Sequence, residues 1–176
     1  MRIIAGLYRG RQINAPDSSR PTLDRVRENL FNILGPSIRG ARVLDLFGGS
    51  GALGIEAISR GATADICELN ANAVRMIRDN LSILKASAGV YHSDYKRYLE
   101  STTNTYDYIF VDPPYASEYI DEVLKIVRDR RLLNQGGVIV YEHASDQIFE
   151  LHIEGYVVKD RRKYGHCTLT FVKEDV

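Results

Sequence analysis

The sequence predicts an α/β protein, a mostly parallel sheet with helices packed on both faces. Three observations predict it. Short apolar, β-branched runs recur at 43–47, 64–67, 89–92, 108–111 and 138–141. These runs lack polar alternation, so each fits a strand buried on both sides rather than one with a solvated face. Helical stripes separate them: Val74, Ile77, Leu81 and Leu84 in one interval, and Ile120, Val123, Leu124 and Val127 in another, after a Ser117 able to cap. Strands alternating with helices indicate parallel pairing through crossover connections.

The two ends depart from this rhythm. Residues 2–15 suggest a small hairpin turning at Gly6 and Gly10, closed by Pro16 and Pro21. Thr22 is placed to cap a helix whose Val26, Leu30, Ile33 and Leu34 face inward, while Arg25, Asn29 and Asn32 share the other side. At the far end, 156–159 and 167–172 flank a basic stretch with Gly165, which predicts an antiparallel hairpin at the sheet edge.

Size and composition set outer bounds. With 176 residues, 44% hydrophobic and 26% charged, the chain suits a single domain, with 1–40 as a basic extension and 41–176 as the core. No apolar run approaches the ~20 residues of a membrane span, and the first residues do not form a signal peptide, so a cytoplasmic protein is expected. Cys67 and Cys167 lie in strand-like runs without metal-ligand spacing, so free buried thiols are expected and no metal site. A monomer is the default expectation.

The zero net charge conceals an uneven distribution. Residues 1–42 hold eight arginines against three acids, 159–176 carry a net +2, and the segment between carries −7. Basic ends on an acidic body suggest an anionic partner met by the ends.

Two motifs carry chemistry. The first is DLFGGSGALG at 45–54, in which Gly49, Gly51 and Gly54 fit G-x-G-x-x-G between a strand and a helix. Such glycines let backbone N–H groups approach a ligand, and by that pattern alone a dinucleotide site is possible, with Glu68 near the distance expected for a ribose-binding acid. Asp45 separates the readings. A carboxylate at the mouth of the loop repels a pyrophosphate and suits a cofactor bearing an ammonium and a sulfonium, such as S-adenosylmethionine. Glu68 can then take the ribose hydroxyls and Asp94 the adenine amino group, although Asp94 can equally serve as a helix N-cap.

The second motif is DPPY, Asp112 to Tyr115, at the end of the fourth strand. Ligands of open α/β sheets bind beyond the carboxyl ends of the strands, so it faces the cofactor site. Pro113 and Pro114 fix the local backbone, aiming the Asp112 carboxylate and the Pro113 carbonyl while offering no competing N–H. Two acceptors and the Tyr115 ring suit a planar exocyclic amine, which reacts only once its hydrogens are held and its lone pair leaves the ring. Stacking on the tyrosine is worth ~1–3 kcal/mol, and alignment of amine and methyl supplies most of the acceleration. The motif alone leaves guanine, adenine, cytosine and glutamine open.

GLYRGRQI at 6–13, RPTLDRVRENLFN at 20–32, DLFGGSGALGIEAISRGA at 45–62 and DPPY together resemble the bacterial 16S rRNA guanine-N2 methyltransferases, the small-subunit methyltransferase D family, within the class I S-adenosylmethionine-dependent enzymes. The resemblance implies a Rossmann-like, seven-stranded sheet with an antiparallel last strand and methyl transfer to a guanine N2 in a 16S rRNA hairpin loop, within a small subunit or assembly intermediate. It implies cofactor roles for Asp45, Phe47, Gly48, Gly49, Ser50, Gly51, Glu68, Leu69, Asp94 and Tyr95, and base contact for Asp112, Pro113, Pro114 and Tyr115. The family commonly has alanine where this chain has Gly48.

RNA contact is expected from Arg9, Arg11, Thr22, Arg25, Arg27, Arg161, Arg162 and Lys163, ringing the Asp112 side. Arg25 and Arg27 do not share one helix face, so one of them is open to a structural role. Alternatives are a DNA amino methyltransferase, a protein-glutamine methyltransferase, whose family typically has Asn at the Asp112 position, and a ribosome-assembly module without activity.

Overall fold

A computed structural model describes residues 1–16, 21–114 and 119–176, with side chains from residue 23 onward in the first helix. Along the chain run α1 (Pro21–Leu34), a 3₁₀ turn (Gly35–Ile38), β1 (Arg42–Asp45), α2 (Ala52–Ser59), β2 (Thr63–Glu68), α3 (Ala71–Leu84), β3 (Gly89–His92) and α4 (Tyr95–Ser101). Then follow β4 (Tyr106–Val111), α5 (Tyr119–Arg130), β5 (Leu133–Ala144), β6 (Tyr156–Tyr164) and β7 (Cys167–Glu174). The seven strands form one sheet in the order β3-β2-β1-β4-β5-β7-β6. β1 to β5 pair in parallel, and β7 inserts antiparallel between β5 and β6.

The alternating faces of the buried strands explain the two-sided packing. Leu44, Ile109, Val111, Ile139 and Tyr141 point toward α4 and α5, where Leu99, Val123, Leu124 and Val127 meet them. Val43, Phe110, Val138, Val140 and Phe171 point the other way, under Val26, Leu30 and Phe31 of α1 and Ala57 of α2. On that second face Ile66 of β2 joins Ile55, Ile77 and Leu81, and the N-terminal segment adds Ile3 and Ile13.

Several expectations shift. The N-terminal hairpin is a single antiparallel bridge, Arg2 to Gln12, steadied by Gly10 N–H to Ile3 O at 2.9 Å and Ile13 N–H to Met1 O at 2.8 Å. Its anchor lies elsewhere: buried Glu56 of α2 accepts the N–H groups of Ile4 at 2.9 Å and Ala5 at 3.2 Å. Helix α1 starts at Pro21, where a missing N–H costs nothing, so Thr22 falls inside the first turn rather than before it. Ser117 lies outside the described residues.

Helix α4 has no counterpart among the sequence stripes, because in seven residues only Tyr98 and Leu99 are buried. β5 is far longer than 138–141, since Leu133 already pairs with Tyr106 across an irregularity in β4. Both cysteines are free, Cys67 buried and Cys167 half-buried. Among the described residues no helix is long and apolar enough to cross a membrane.

Candidate active site

The carboxyl edge of the sheet opens on a cleft of about 1180 Å³, walled by the loop after β1, the ends of β2, β4 and β5, the start of α4, and the N-terminal half of α1. That exceeds the ~300–1,000 Å³ of a typical single-ligand pocket and leaves room for two reactants. Each strand from β1 to β5, or the residue or two beyond it, delivers an acid to this edge: Asp45, Glu68, Asp94, Asp112 and Glu142 all line the cleft.

Asp45 is the deepest of them, only 1% exposed. Its Oδ2 accepts the Gly54 N–H at 3.1 Å, which ties the end of β1 to the first turn of α2. Burial, reinforced by the neighbouring Glu68 and Glu142 carboxylates and opposed by that hydrogen bond, pushes its pKa up to about 7. A cationic ligand beside Asp45 would reverse the shift.

The glycine loop is held from several sides. Gly48 N–H donates to Cys67 O at 2.9 Å and Gly51 N–H to Gly48 O at 2.8 Å. Gly49 and Gly51 take φ of +59° and +84°, the left-handed region that a side chain disfavours. Gly48 is needed for a different reason, because a Cβ there would sit 2.5 Å from Ile66 Cγ2. The alanine common in the resembling family has no space in this chain, where Ile66 fills it. Buried Asn80 of α3 donates to Ser50 O at 3.1 Å and exchanges hydrogen bonds with the backbone of Asn14, so it links the loop to the N-terminal segment.

Glu68 departs from the simplest expectation. Its Oε1 accepts the Gly49 N–H at 2.9 Å and its Oε2 the Asn70 N–H at 2.6 Å. Ligand hydroxyls must therefore use the remaining lone pairs of a carboxylate already braced against the loop. Asp94 both lines the cleft and caps α4, its Oδ1 accepting the Lys96 N–H at 3.1 Å. Phe47, Tyr95 and the unforeseen Tyr119 form an aromatic corner with ring centroids 5.1–5.9 Å apart, and exposed Leu69 lines the same cavity.

Asp112 follows β4 directly. It is exposed toward the cleft, yet desolvation by the protein around its carboxyl, together with the adjoining Glu142 and Asp45 carboxyls, holds its pKa well above the usual carboxylate range. Asp112, Pro114 and Glu142 form the wall shared with a second cavity of about 270 Å³, which Pro113, His166 and Cys167 also line. Tyr115 lies outside the described residues.

The basic residues expected at this edge divide. Arg27 is 4% exposed; it donates to Arg2 O at 2.8 Å and lies 3.9 Å from Glu56 and 3.4 Å from Asp24. It lies in the cleft wall but is engaged by these partners and holds the N-terminal segment, so its expectation as a free RNA-facing cation is corrected. Arg9 and Arg11 are exposed but sit at the opposite edge of the sheet: Leu7 N–H donates to Ser59 O, at the end of α2, and Arg11 to Ile83 O, near the end of α3. The expectation that they ring Asp112 is corrected too.

Arg25 is exposed on α1, the helix that walls the cleft. Arg161 donates to Phe149 O at 2.8 Å and Arg162 pairs with Asp160 at 2.7 Å. Exposed Lys163 pairs in register with Thr168, one position from the Tyr164–Cys167 pair beside the smaller cavity.

This sheet order, with a glycine loop after β1 and an acid-lined cleft at the carboxyl edge, is the architecture of the class I methyltransferases. A Thermus thermophilus protein described as a 16S rRNA N2 G1207 methyltransferase, solved with AdoMet and guanosine, shares the fold at TM-score 0.70 and 21% identity, over 93% of this chain and 45% of that one. An Escherichia coli protein of known structure, yhhF, matches at TM-score 0.90 and 32% identity, over 100% of this chain and 98% of its own. The family described as conserved hypothetical protein 95 matches residues 1–173. The E. coli ribosomal RNA small subunit methyltransferase D is 41% identical over 81% of this chain and 74% of its own length. The chain belongs to this small-subunit rRNA methyltransferase D family.

Proposed function

We propose that the chain transfers a methyl group from S-adenosylmethionine to the exocyclic N2 of a guanine in 16S rRNA. The observation that carries this reading is the placement of Asp112 and Pro114 on the same cleft as the glycine loop and buried Asp45. The named activity of the E. coli relative supports RNA as the substrate class, and a protein of the same fold solved with guanosine is itself described as a 16S rRNA N2 methyltransferase.

The residues fit the cofactor's chemistry. Asp45, Glu68 and Asp94 offer acceptors to cationic and hydroxyl groups, the loop residues Gly48 to Ser50 line the same space, and the corner of Phe47, Tyr95 and Tyr119 offers a flat apolar wall. When bound, S-adenosylmethionine supplies a methyl group activated by its sulfonium.

Asp112 and the Pro113 carbonyl hold the two amine hydrogens, which turns the nitrogen lone pair toward that methyl. Transfer forms the N–C bond and breaks the C–S bond, and the proton then leaves the alkylated amine for Asp112 or water. Positioning accounts for most of the rate, so Asp112 need not be a strong base. The target guanine must leave its stack to reach the cleft, with Arg25 and Lys163 placed to hold phosphates beside it.

A competition assay tests the substrate class. Protein with labelled S-adenosylmethionine is offered small ribosomal subunits, free 16S rRNA, duplex DNA and glutamine-containing protein. Label is expected in the ribosomal substrates alone; label confined to DNA or protein overturns the reading.

A further inference from the structure

Glu142 entered none of the sequence motifs, yet it stands in the wall between the two cavities. The strand register puts it there. Tyr141 pairs with Val111 across β5 and β4, so the next residue on each strand brings Glu142 beside Asp112, where its carboxyl helps to raise the Asp112 pKa. Glu142 is also fixed from behind, where Cys167 on β7 donates its S–H to Oε1 at 3.2 Å. Asp45 adds a third carboxyl to this corner, and among the described residues the only arginine on the cleft wall, Arg27, is turned to Glu56, Asp24 and Arg2.

Among the described residues, this corner is a set of acceptors that no cation pairs with. Two adjoining carboxyls share one proton readily and keep a net negative charge and several free lone pairs. The base edge that complements it presents donors. Guanine offers N1–H beside the N2 amino group, whereas adenine and cytosine offer a bare ring nitrogen beside their amines, and a carboxylate repels that nitrogen.

We infer that Glu142 is the residue that selects guanine, accepting N1–H of the base while Asp112 and the Pro113 carbonyl hold the N2 amino group. This rests on the proposed transfer to guanine N2 and deepens it. Glu142 is thus a base-reading residue at the same site, and Cys167 orients its carboxylate.

The test uses 2-aminopurine, which keeps the 2-amino group but carries no hydrogen on N1. The labelled nucleotide is first mapped with wild-type protein on small subunits. Subunits are then reconstituted with guanine or 2-aminopurine at that position, and kcat/KM is measured for wild type, Glu142→Ala and Glu142→Gln. Wild type is expected to favour guanine by about 10- to 100-fold, the worth of one charge-assisted hydrogen bond.

Glu142→Ala should erase most of that preference, and Glu142→Gln, whose amide can donate to a bare N1, should shift it toward 2-aminopurine. S-adenosylmethionine should still bind both variants at about pH 8, where Asp45 is ionised whether or not Glu142 is charged, which a general collapse of the site would not allow. A guanine preference unchanged in both variants overturns the inference while leaving guanine N2 transfer intact. A wild-type protein that labels no guanine N2 overturns both.

Discussion

Replacing Asp45 with Asn gives the sharpest view of how the cleft receives a cation. Burial raises the Asp45 pKa to about 7, so without ligand at about pH 6 the carboxyl carries roughly 0.9 of a proton. A sulfonium or ammonium beside it favours the ionised form and returns the pKa toward the ordinary range near 4. Binding at about pH 6 should then expel close to one proton, and binding at about pH 8 only about 0.1. Affinity should rise about tenfold per pH unit up to about pH 7 and flatten above it.

Titration calorimetry in two buffers of different ionisation enthalpy reads the proton count directly. Asp45→Asn should abolish the pH 6 release while removing the charge that draws the cation, weakening affinity most above pH 7. The sign for folding is the opposite: the folded chain holds this proton when the unfolded chain has lost it, so stability from Asp45 falls as pH rises from about 4 to about 7. A proton count near zero at pH 6, with affinity flat from about pH 5.5 to 8, would refute the role given to Asp45.

Further outcomes are expected for single residues of the site and its surroundings. Asp112→Ala should lower turnover by about 10²-fold or more while S-adenosylmethionine still binds; lost binding would show that the residue acts on the cofactor instead. Gly48→Ala should cost about 1–3 kcal/mol in urea unfolding, because the added methyl meets Ile66, and an unchanged midpoint would contradict the close packing. Lys163→Ala should lower the salt slope of RNA binding by about one, while Arg9→Ala with Arg11→Ala leaves it unchanged and Arg27→Met costs about 1–3 kcal/mol of stability. A salt slope that moves with Arg9 and Arg11 would bring RNA to the far edge of the sheet.

What the sequence made legible follows the strength of local patterns. The five core strands and the stripes of α3 and α5 were readable because burial on both faces leaves unbroken apolar runs, and because helical periodicity survives over three or four turns. The antiparallel hairpin of β6 and β7 was readable from its turn. Helix α4 was not, since a seven-residue helix with two buried side chains makes no stripe.

Within the site, Asp45, Glu68, Asp94 and Asp112 were legible as acids at strand ends, and Glu142 could have been found by the same rule, because VIVYE repeats the pattern of IFVD. The aromatic Tyr119 and the brace at Asn80 were hidden, as each is placed only by tertiary packing. The arginines misled for a physical reason. Charge counting sees eight arginines near the N-terminus, but not that Arg27 turns inward to Glu56 or that Arg11 reaches the end of α3.

The central claim is methyl transfer to guanine N2 of 16S rRNA, and identification of the modified nucleoside tests it most directly. Small subunits incubated with the protein and S-adenosylmethionine labelled in its methyl group are digested to nucleosides and separated. Label is expected in N2-methylguanosine, absent when Asp112 is alanine. Label in N6-methyladenosine, in N4-methylcytidine, or only in protein would contradict it.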